Sequence, residues 1–399
     1  MNWGCSLSTG ESVMRVLTGL DCLITGGAAQ LKGKRVGLAT HPAAVMRDLT
    51  DSVTALLGCG VTLTALFGPE HGFSGAVADG QHVQDAVYGN IQLPIYSLYG
   101  TTQEPTPDMM ADVDVLVFDM QDVGARFYTF ISTLFYVLEG AAKADVPVVV
   151  LDRPNPVNGS VREGPVLSSG FESFVGVLPI PLRYGLTIGE LARYMNDTQD
   201  LHADLTVIPM AGWQRGLWFD ETGLTWVPTS PAIPHVSTAV VYPGMCLLEG
   251  TNVSEGRGTA LPFEVCGAPW INGAALAAHL NALGLPGVWS RPTQFVPAAS
   301  KFAGEVCGGV QIHITDREVF RPVTVGLHLL ATLKALYPQE FAWLPQSWEG
   351  AHPHIDLLAG TAQVRCALDA SADVNELVEG WADTVVDFER TSRQYWLYT

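Results

Sequence analysis

Along the first half of the chain the hydrophobic positions fall into short, almost unbroken runs. They are Val36–Ala39, Val61–Phe67, Leu93–Leu98, Val115–Phe118, Val146–Leu151 and Leu205–Ile208. Each is too short for a globular helix and is bounded by Gly, Pro or polar residues, which predicts strands. Between them the apolar spacing changes. Val53, Leu56 and Leu57 mark a helix near Asp51–Gly58, and Ile131, Leu134, Phe135 and Leu138 lie at i, i+3, i+4 and i+7, one face of a second. Thr187-Ile188-Gly189-Glu190 reads as a capping box opening a third, with Ile188, Leu191, Ala192 and Met195 inward. Buried strands alternating with helices predict an α/β unit whose parallel sheet is covered on both faces.

After Ile208 the texture changes. Trp213, Trp218 and Trp226 are followed by Pro228, Pro231 and Pro234. Beyond them come a glycine-rich loop at 249–258, an Ala/Leu helix ended by Gly284, a strand Val310–Ile314, a helix Val325–Tyr337 and a last helix near Val374–Phe388. The expected division is therefore an α/β domain, 1–235, and a smaller α+β domain, 236–399.

The chemistry collects where the predicted strands end. The first ends at Thr40-His41-Pro42, the second at Gly68-Pro69-Glu70-His71-Gly72, the fourth at Asp119 with Asp122, Arg126 and Tyr128 following, and the fifth at Asp152-Arg153-Pro154-Asn155. Ligands of open α/β sheets bind outside the carboxyl ends of the strands, so this polar pole is the expected site. Glu70 is the candidate general acid/base, with His71 as its partner or a substrate hydrogen-bond donor. Asp119 is a candidate second carboxylate, and Asp122 can hold Arg126 in an ion pair four residues away. Arg126 and Tyr128 suit anion and hydroxyl recognition. Arg153 and Asn155, stiffened by Pro154 and Pro156, suit a binding wall, to which His41 also belongs. Glu249, Asn252, Glu255 and Arg257 of the second-half loop are expected to form a polar lid; the loop does not fit a P-loop.

A hydrophobic share of 48% with 15% charged residues excludes a disordered chain. A formal net charge of −19 disfavours a nucleic-acid binder, and no apolar run reaches the roughly 18 residues that span a bilayer. Met1–Ser6 shows no basic region followed by an apolar core, so the expected compartment is the cytoplasm. The 7 cysteines are scattered, without a C-x-x-C pair, which argues against a disulfide framework or zinc ribbon. The candidate ligands of a metal site, His41, His71 and the strand-end aspartates, have no H-x-x-x-H or H-x-H spacing, and no metal is expected.

Four segments together resemble the bacterial exo-β-N-acetylmuramidases (glycoside hydrolase family 171, formerly a domain of unknown function): Phe67–Gly72, Val117–Tyr128, Leu151–Pro156 and Glu249–Thr259. The likeness runs from about Leu17 to the end of the chain. It implies a Rossmann-like catalytic domain, an auxiliary domain and a cleft between them. It also implies release of N-acetylmuramic acid from the non-reducing end of peptidoglycan fragments, muropeptides or MurNAc-GlcNAc, with no cofactor. The family's acid/base falls on Glu70, with His71, Arg126, Tyr128 and Asn155 in the same pocket. The chain departs from the family at His41, at Tyr184 and at Ala232, where asparagine, histidine and asparagine are usual. Glycoside hydrolysis usually needs two carboxylates; the second is Asp119, Asp122, Glu249 or Glu255, or the substrate's own acetamido group replaces it. The rivals are a metal-dependent hydrolase and a wall-fragment binding protein without chemistry.

Overall fold

The computed structural model describes residues 15–75, 84–88, 92–345 and 352–399. Its first sheet has seven strands: β1 (Arg35–Thr40), β2 (Thr62–Gly68), β3 (Ala86–Tyr88), β4 (Leu93–Ser97), β5 (Val115–Asp119), β6 (Val148–Leu151) and β7 (Leu205–Ile208). The spatial order is β3-β4-β2-β1-β5-β6-β7. All neighbours are parallel except the short edge strand β3, which runs antiparallel to β4. The chain winds outward from β1 in one direction through β2 and β4, then returns to start again at β5. That reversal opens a crevice beyond the carboxyl ends of β1 and β5, the position where doubly wound sheets bind their ligands. Thr40 pairs with Asp119 at its lip.

The strands are apolar on both sides because both sides are covered. Val115 and Val117 of β5 point into one core with Leu20, Leu23, Val53 and Leu56 of α1 (Gly19–Thr25) and α2 (Ser52–Gly58). Leu116 and Phe118 point into the other, with Leu134 and Leu138 of α3 (Phe130–Lys143) and Leu191 of α4 (Ile188–Thr198). The Thr187–Glu190 capping box forms as expected, each side chain bonding the other's backbone.

The second half adds a three-stranded antiparallel sheet, β8 (Val265–Ala268), β10 (Cys307–Ile314) and β9 (Val288–Phe295) in that order. Around it stand α5 (Val236–Met245), α6 (Gly273–Ala282), α7 (Pro322–Leu336), α8 (His354–Ala359), α9 (Gln363–Asp369), α10 (Val374–Glu379) and α11 (Ala382–Ser392). α7 begins three residues before the expected Val325, with Pro322 in its first turn, where a missing N–H costs nothing. The single helix expected over 374–388 is two, broken at Gly380–Trp381. The polar excursion after Gly75 contains β3; its residues 76–83 and 89–91 lie outside the described residues.

The two halves share one core. The cluster holding Phe67, Phe118 and Leu134 runs on through Leu276, Val310, Leu327, Ile355 and Phe388. The segment after α11 then crosses back to the first sheet. Tyr398 Oη donates to Asp152 Oδ2 (2.5 Å) and accepts from Met210 N (2.8 Å). Leu397 N donates to Glu190 Oε1 (2.8 Å), and Trp396 lies under the Arg215 guanidinium at 3.8 Å.

Candidate active site

The turn after β2 is what presents Glu70. Gly68 cannot carry a Cβ, because one would sit 2.7 Å from the backbone nitrogen of Phe73; the chain folds back onto itself there. His71 takes φ +70° and Gly72 φ +75°. For a histidine that left-handed conformation costs about 1–2 kcal/mol, held in place by a turn whose side chains are buried. Glu70 is 9% exposed and its Oε2 accepts the Thr129 hydroxyl at 2.7 Å. Thr129 occupies the N-cap of α3 yet makes no capping bond, because its hydroxyl is turned to Glu70 instead.

Beside this carboxylate lies His41, at the end of β1 and buried. Its Nε2 accepts Gln121 N–H at 2.9 Å, and burial, reinforced by Arg153 and His71, holds its pKa well below the ordinary range. The ring is therefore neutral and carries its one proton on Nδ1. That N–H is buried with no partner. Tyr128 is poorly served too: the hydroxyls of Thr229 and Ser230 lie close enough to act on its phenol, but no partner in good hydrogen-bond geometry meets Tyr128 Oη or Thr229 Oγ1, both buried. Asp122 Oδ1 is a further unpartnered atom. Tyr128 is close enough to Asp122 and Glu70 for both charges to act on its phenol. Buried polar atoms left unpaired are costly, so a gathering of them around one carboxylate marks a place built for a ligand rich in hydroxyl and amide groups.

Other expected site residues are spent on the scaffold. Asp119 grips Arg153 in two bonds (Oδ1 to Nε 2.5 Å, Oδ2 to Nη2 2.9 Å) and accepts from Ser52 Oγ at 2.5 Å. Arg153 gives its remaining nitrogen to Val45 O. Asn155 donates to Leu186 O (2.9 Å) and accepts from Val157 N (3.1 Å), close against Gly124, whose φ of +79° and missing Cβ leave it room. The Asp122–Arg126 ion pair does not form. Asp122 accepts from Gly124 N at 2.7 Å and from the Tyr184 hydroxyl. Arg126, 1% exposed, donates to the carbonyls of Pro165, Ile180 and Leu358 at 2.8–3.0 Å. Burial pulls its pKa down to about 9. Its Nη1 and Nη2 face main chain and fasten loops of both halves together, and its Nε is buried without a partner.

The loop at 249–258 is a knot of charges. Arg257 Nη2 lies 2.6 Å from Glu249 Oε1, and Lys301 Nζ 2.9 Å from Glu255 Oε2. Lys301 also holds Leu248 O and Val253 O. Burial works to raise the Glu249 carboxyl, but Arg257 and His354 outweigh it and the net shift is downward. Asn252 donates to Glu340 O and accepts from Ala342 N. A ladder of rings joins this knot to the Glu70 side: Tyr128 to Tyr242 at 5.9 Å, Tyr242 to Phe263 at 4.8 Å, and Arg257 over Phe263 at 4.9 Å. Trp213 and Trp218 are core, and Trp226 is half-buried. Thr229 and Ser230 were not singled out from sequence; their one signal is their place just before Pro231-Ala232. Among the described residues, no three His, Cys, Asp or Glu stand together as a metal site would require.

Two carboxyls near the crevice are raised, Asp122 to about 6 by burial against the pull of Tyr184, and Asp152 to about 7 by burial and Glu190 against its donors. A carboxyl raised in the fold gives stability that is complete below its ordinary value of 3.8 and is lost as pH climbs through the raised one. Glu249, shifted the other way, loses its contribution only below its ordinary 4.5. The thermal midpoint should therefore fall between about pH 4 and pH 7, and Asp152→Asn should flatten that fall. An equal slope in the variant would contradict it.

A parallel sheet whose crevice carries a buried carboxylate, a neutral imidazole and buried hydroxyls is the arrangement of an α/β enzyme acting on a polar ligand. Family models described as the N-terminal and C-terminal parts of exo-beta-N-acetylmuramidase NamZ match residues 36–237 and 240–398. The chain belongs to the NamZ family of exo-β-N-acetylmuramidases. It is 45% identical over 385 residues (96% of this chain, 92% of the other) to the peptidoglycan beta-N-acetylmuramidase NamZ of Bacillus subtilis strain 168. Two crystal structures of DUF1343 family proteins from Bacteroides fragilis share the fold. One has TM-score 0.88 and 38% identity, covering 97% of this chain and 100% of the other. The second has TM-score 0.76 and 28% identity, covering 96% and 99%.

Proposed function

We propose that this protein is an exo-β-N-acetylmuramidase that releases N-acetylmuramic acid from the non-reducing end of peptidoglycan fragments, muropeptides or MurNAc-GlcNAc. The observation that carries the reading is Glu70, seated with Thr129 among unpartnered polar atoms at the crevice pole of a NamZ-family fold. Glu70 gives its proton to the glycosidic oxygen as the C1–O bond breaks. The other side of C1 needs a nucleophile or a base. Asp119 is held by Arg153, Glu249 by Arg257, Glu255 by Lys301, and Asp122 by Tyr184. This favours the substrate's own acetamido oxygen, which attacks C1 to give an oxazolinium ring; water then opens it, losing its proton to Glu70. His71, as hydrogen-bond donor or acid–base partner, and Asn155, as support for the Asp152–Pro156 loop, complete the pole.

We further place the catalytic part at 1–235 and the auxiliary part at 236–399. The described cysteines are free thiols, in keeping with work in the cytoplasm on recycled wall fragments. Among the described residues no helix is long and apolar enough to cross a membrane. The test is a panel of N-acetylmuramides and N-acetylglucosaminides, with the first-formed anomer followed by NMR. Release of β-configured N-acetylmuramic acid fits the reading. An α-first product removes the acetamido route, and cleavage of glucosaminides alone removes the muramidase.

A further inference from the structure

N-acetylmuramic acid differs from N-acetylglucosamine by a lactyl ether ending in a carboxylate, so a protein of net charge −19 must meet that anion with a local cation. Three arginines near the candidate residues are already held: Arg126 by carbonyls through both Nη atoms, with Nε alone unpartnered, Arg153 by Asp119 and Val45, and Arg257 by Glu249. A fourth, Arg47, is not. It follows the turn after β1, and among the described residues no acceptor or counter-charge meets its guanidinium. Nη1 is buried with no partner. The Asp21 carboxylate beside its backbone is turned to main chain and hydroxyl: its Oδ1 accepts the backbone N–H of Arg47 at 3.1 Å, and its Oδ2 accepts Thr18 N and Oγ1 at 2.9 and 2.8 Å.

Arg47 lines a cavity at the crevice between β1 and β5, together with Thr18, Gln121, Arg153, Phe219 and Trp226. Its volume is about 20 Å³, room for a water or a small terminal group and not for a sugar ring. The peptide of Gln121 is a common wall, since its N–H also holds His41 on the Glu70 side. A buried guanidinium nitrogen without an acceptor is unfavourable in the free protein and becomes favourable when a carboxylate supplies the acceptors, which the planar fork suits better than an ammonium would.

We propose that this cavity is a carboxylate subsite, with Arg47 as its cation, holding the acidic end of the ligand while the sugar ring lies toward Glu70. The proposal rests on the muramidase reading for the identity of the sugar. In peptide-free fragments the carboxylate is the lactyl group; in peptide-bearing ones that carboxyl is an amide, and the anion belongs to the peptide.

The test is calorimetric binding of N-acetylmuramic acid, N-acetylmuramyl-L-alanyl-D-isoglutamine and N-acetylglucosamine to wild type, Arg47→Ala and Arg47→Lys, with thermal melts to establish that the variants fold. Arg47→Ala should weaken at least one of the two acids by about 10- to 100-fold, the scale of a hydrogen bond to a charged group. Arg47→Lys should recover part of the loss, and N-acetylglucosamine should change less than about 2-fold. Loss on the muramic acid alone assigns the lactyl group, and loss on the dipeptide alone assigns the peptide. Unchanged binding of both acids, or an equal loss on the neutral sugar, overturns the subsite. Hydrolysis of a chromogenic muramide by wild type is read separately. Without it, Arg47-dependent acid binding keeps the subsite and removes the muramidase reading.

Discussion

Glu70→Gln should hydrolyse a chromogenic N-acetylmuramide at least about 100-fold more slowly than wild type, with KM little changed, the usual scale for removing a general acid. The substitution is nearly isosteric. The amide oxygen can still accept the Thr129 hydroxyl that now reaches Glu70 at 2.7 Å, so the β2 turn and the start of α3 keep their shape. What disappears is the transferable proton. The measurement is kcat and KM on the same substrate, with thermal melting as a control on folding. A kcat within tenfold of wild type would move the acid elsewhere, first to Glu249, whose side chain is the more exposed of the two loop glutamates.

Asp119→Ala is expected to have the second largest effect, on stability before activity. The carboxylate and its partner Arg153 are both buried, in two bonds of 2.5 and 2.9 Å. Removing the acid strands a guanidinium at the crevice lip, at a cost of about 3–5 kcal/mol. Arg153→Met in the same chain should return much of that loss, since an apolar pair of similar volume leaves no charge unpaired. Denaturant midpoints of the two single variants and the double variant test it. If Asp119→Ala melts like wild type but is inactive, Asp119 acts on substrate after all.

The sheet was legible because β1, β2, β5 and β6 are apolar on both faces and little else in the chain is. The polar pole was legible for the same reason, as the places where those runs stop. Partners were not. Arg126 looks like a fork beside Asp122 in sequence, yet it bonds Leu358, 232 residues away. Asp119 reads as a possible catalytic acid until Arg153, 34 residues on, closes over it. His41 could be placed on the rim from its strand, but its single free N–H follows only from knowing that Gln121 occupies the other nitrogen. β9 went unseen because Trp289, Arg291, Pro292 and Gln294 are exposed on an edge strand, so packing leaves no alternation to read. The break at Gly380 hides inside a stretch whose Leu377, Trp381 and Phe388 keep a helical rhythm across it.

The bond between Tyr398 and Asp152 spans 246 positions, and it bears on how the molecule is made. Asp152 follows β6 and opens the Arg153–Asn155 segment, so that segment has its full set of contacts only once Tyr398 has been made. Closing so long a loop is slow compared with forming the local βα units. Most of the parallel sheet can condense before residues 396–398 are made, so the Asp152 side of the crevice is completed after the sheet itself. A nascent chain that has not yet reached Tyr398 has a sheet whose crevice still lacks one of the bonds to Asp152.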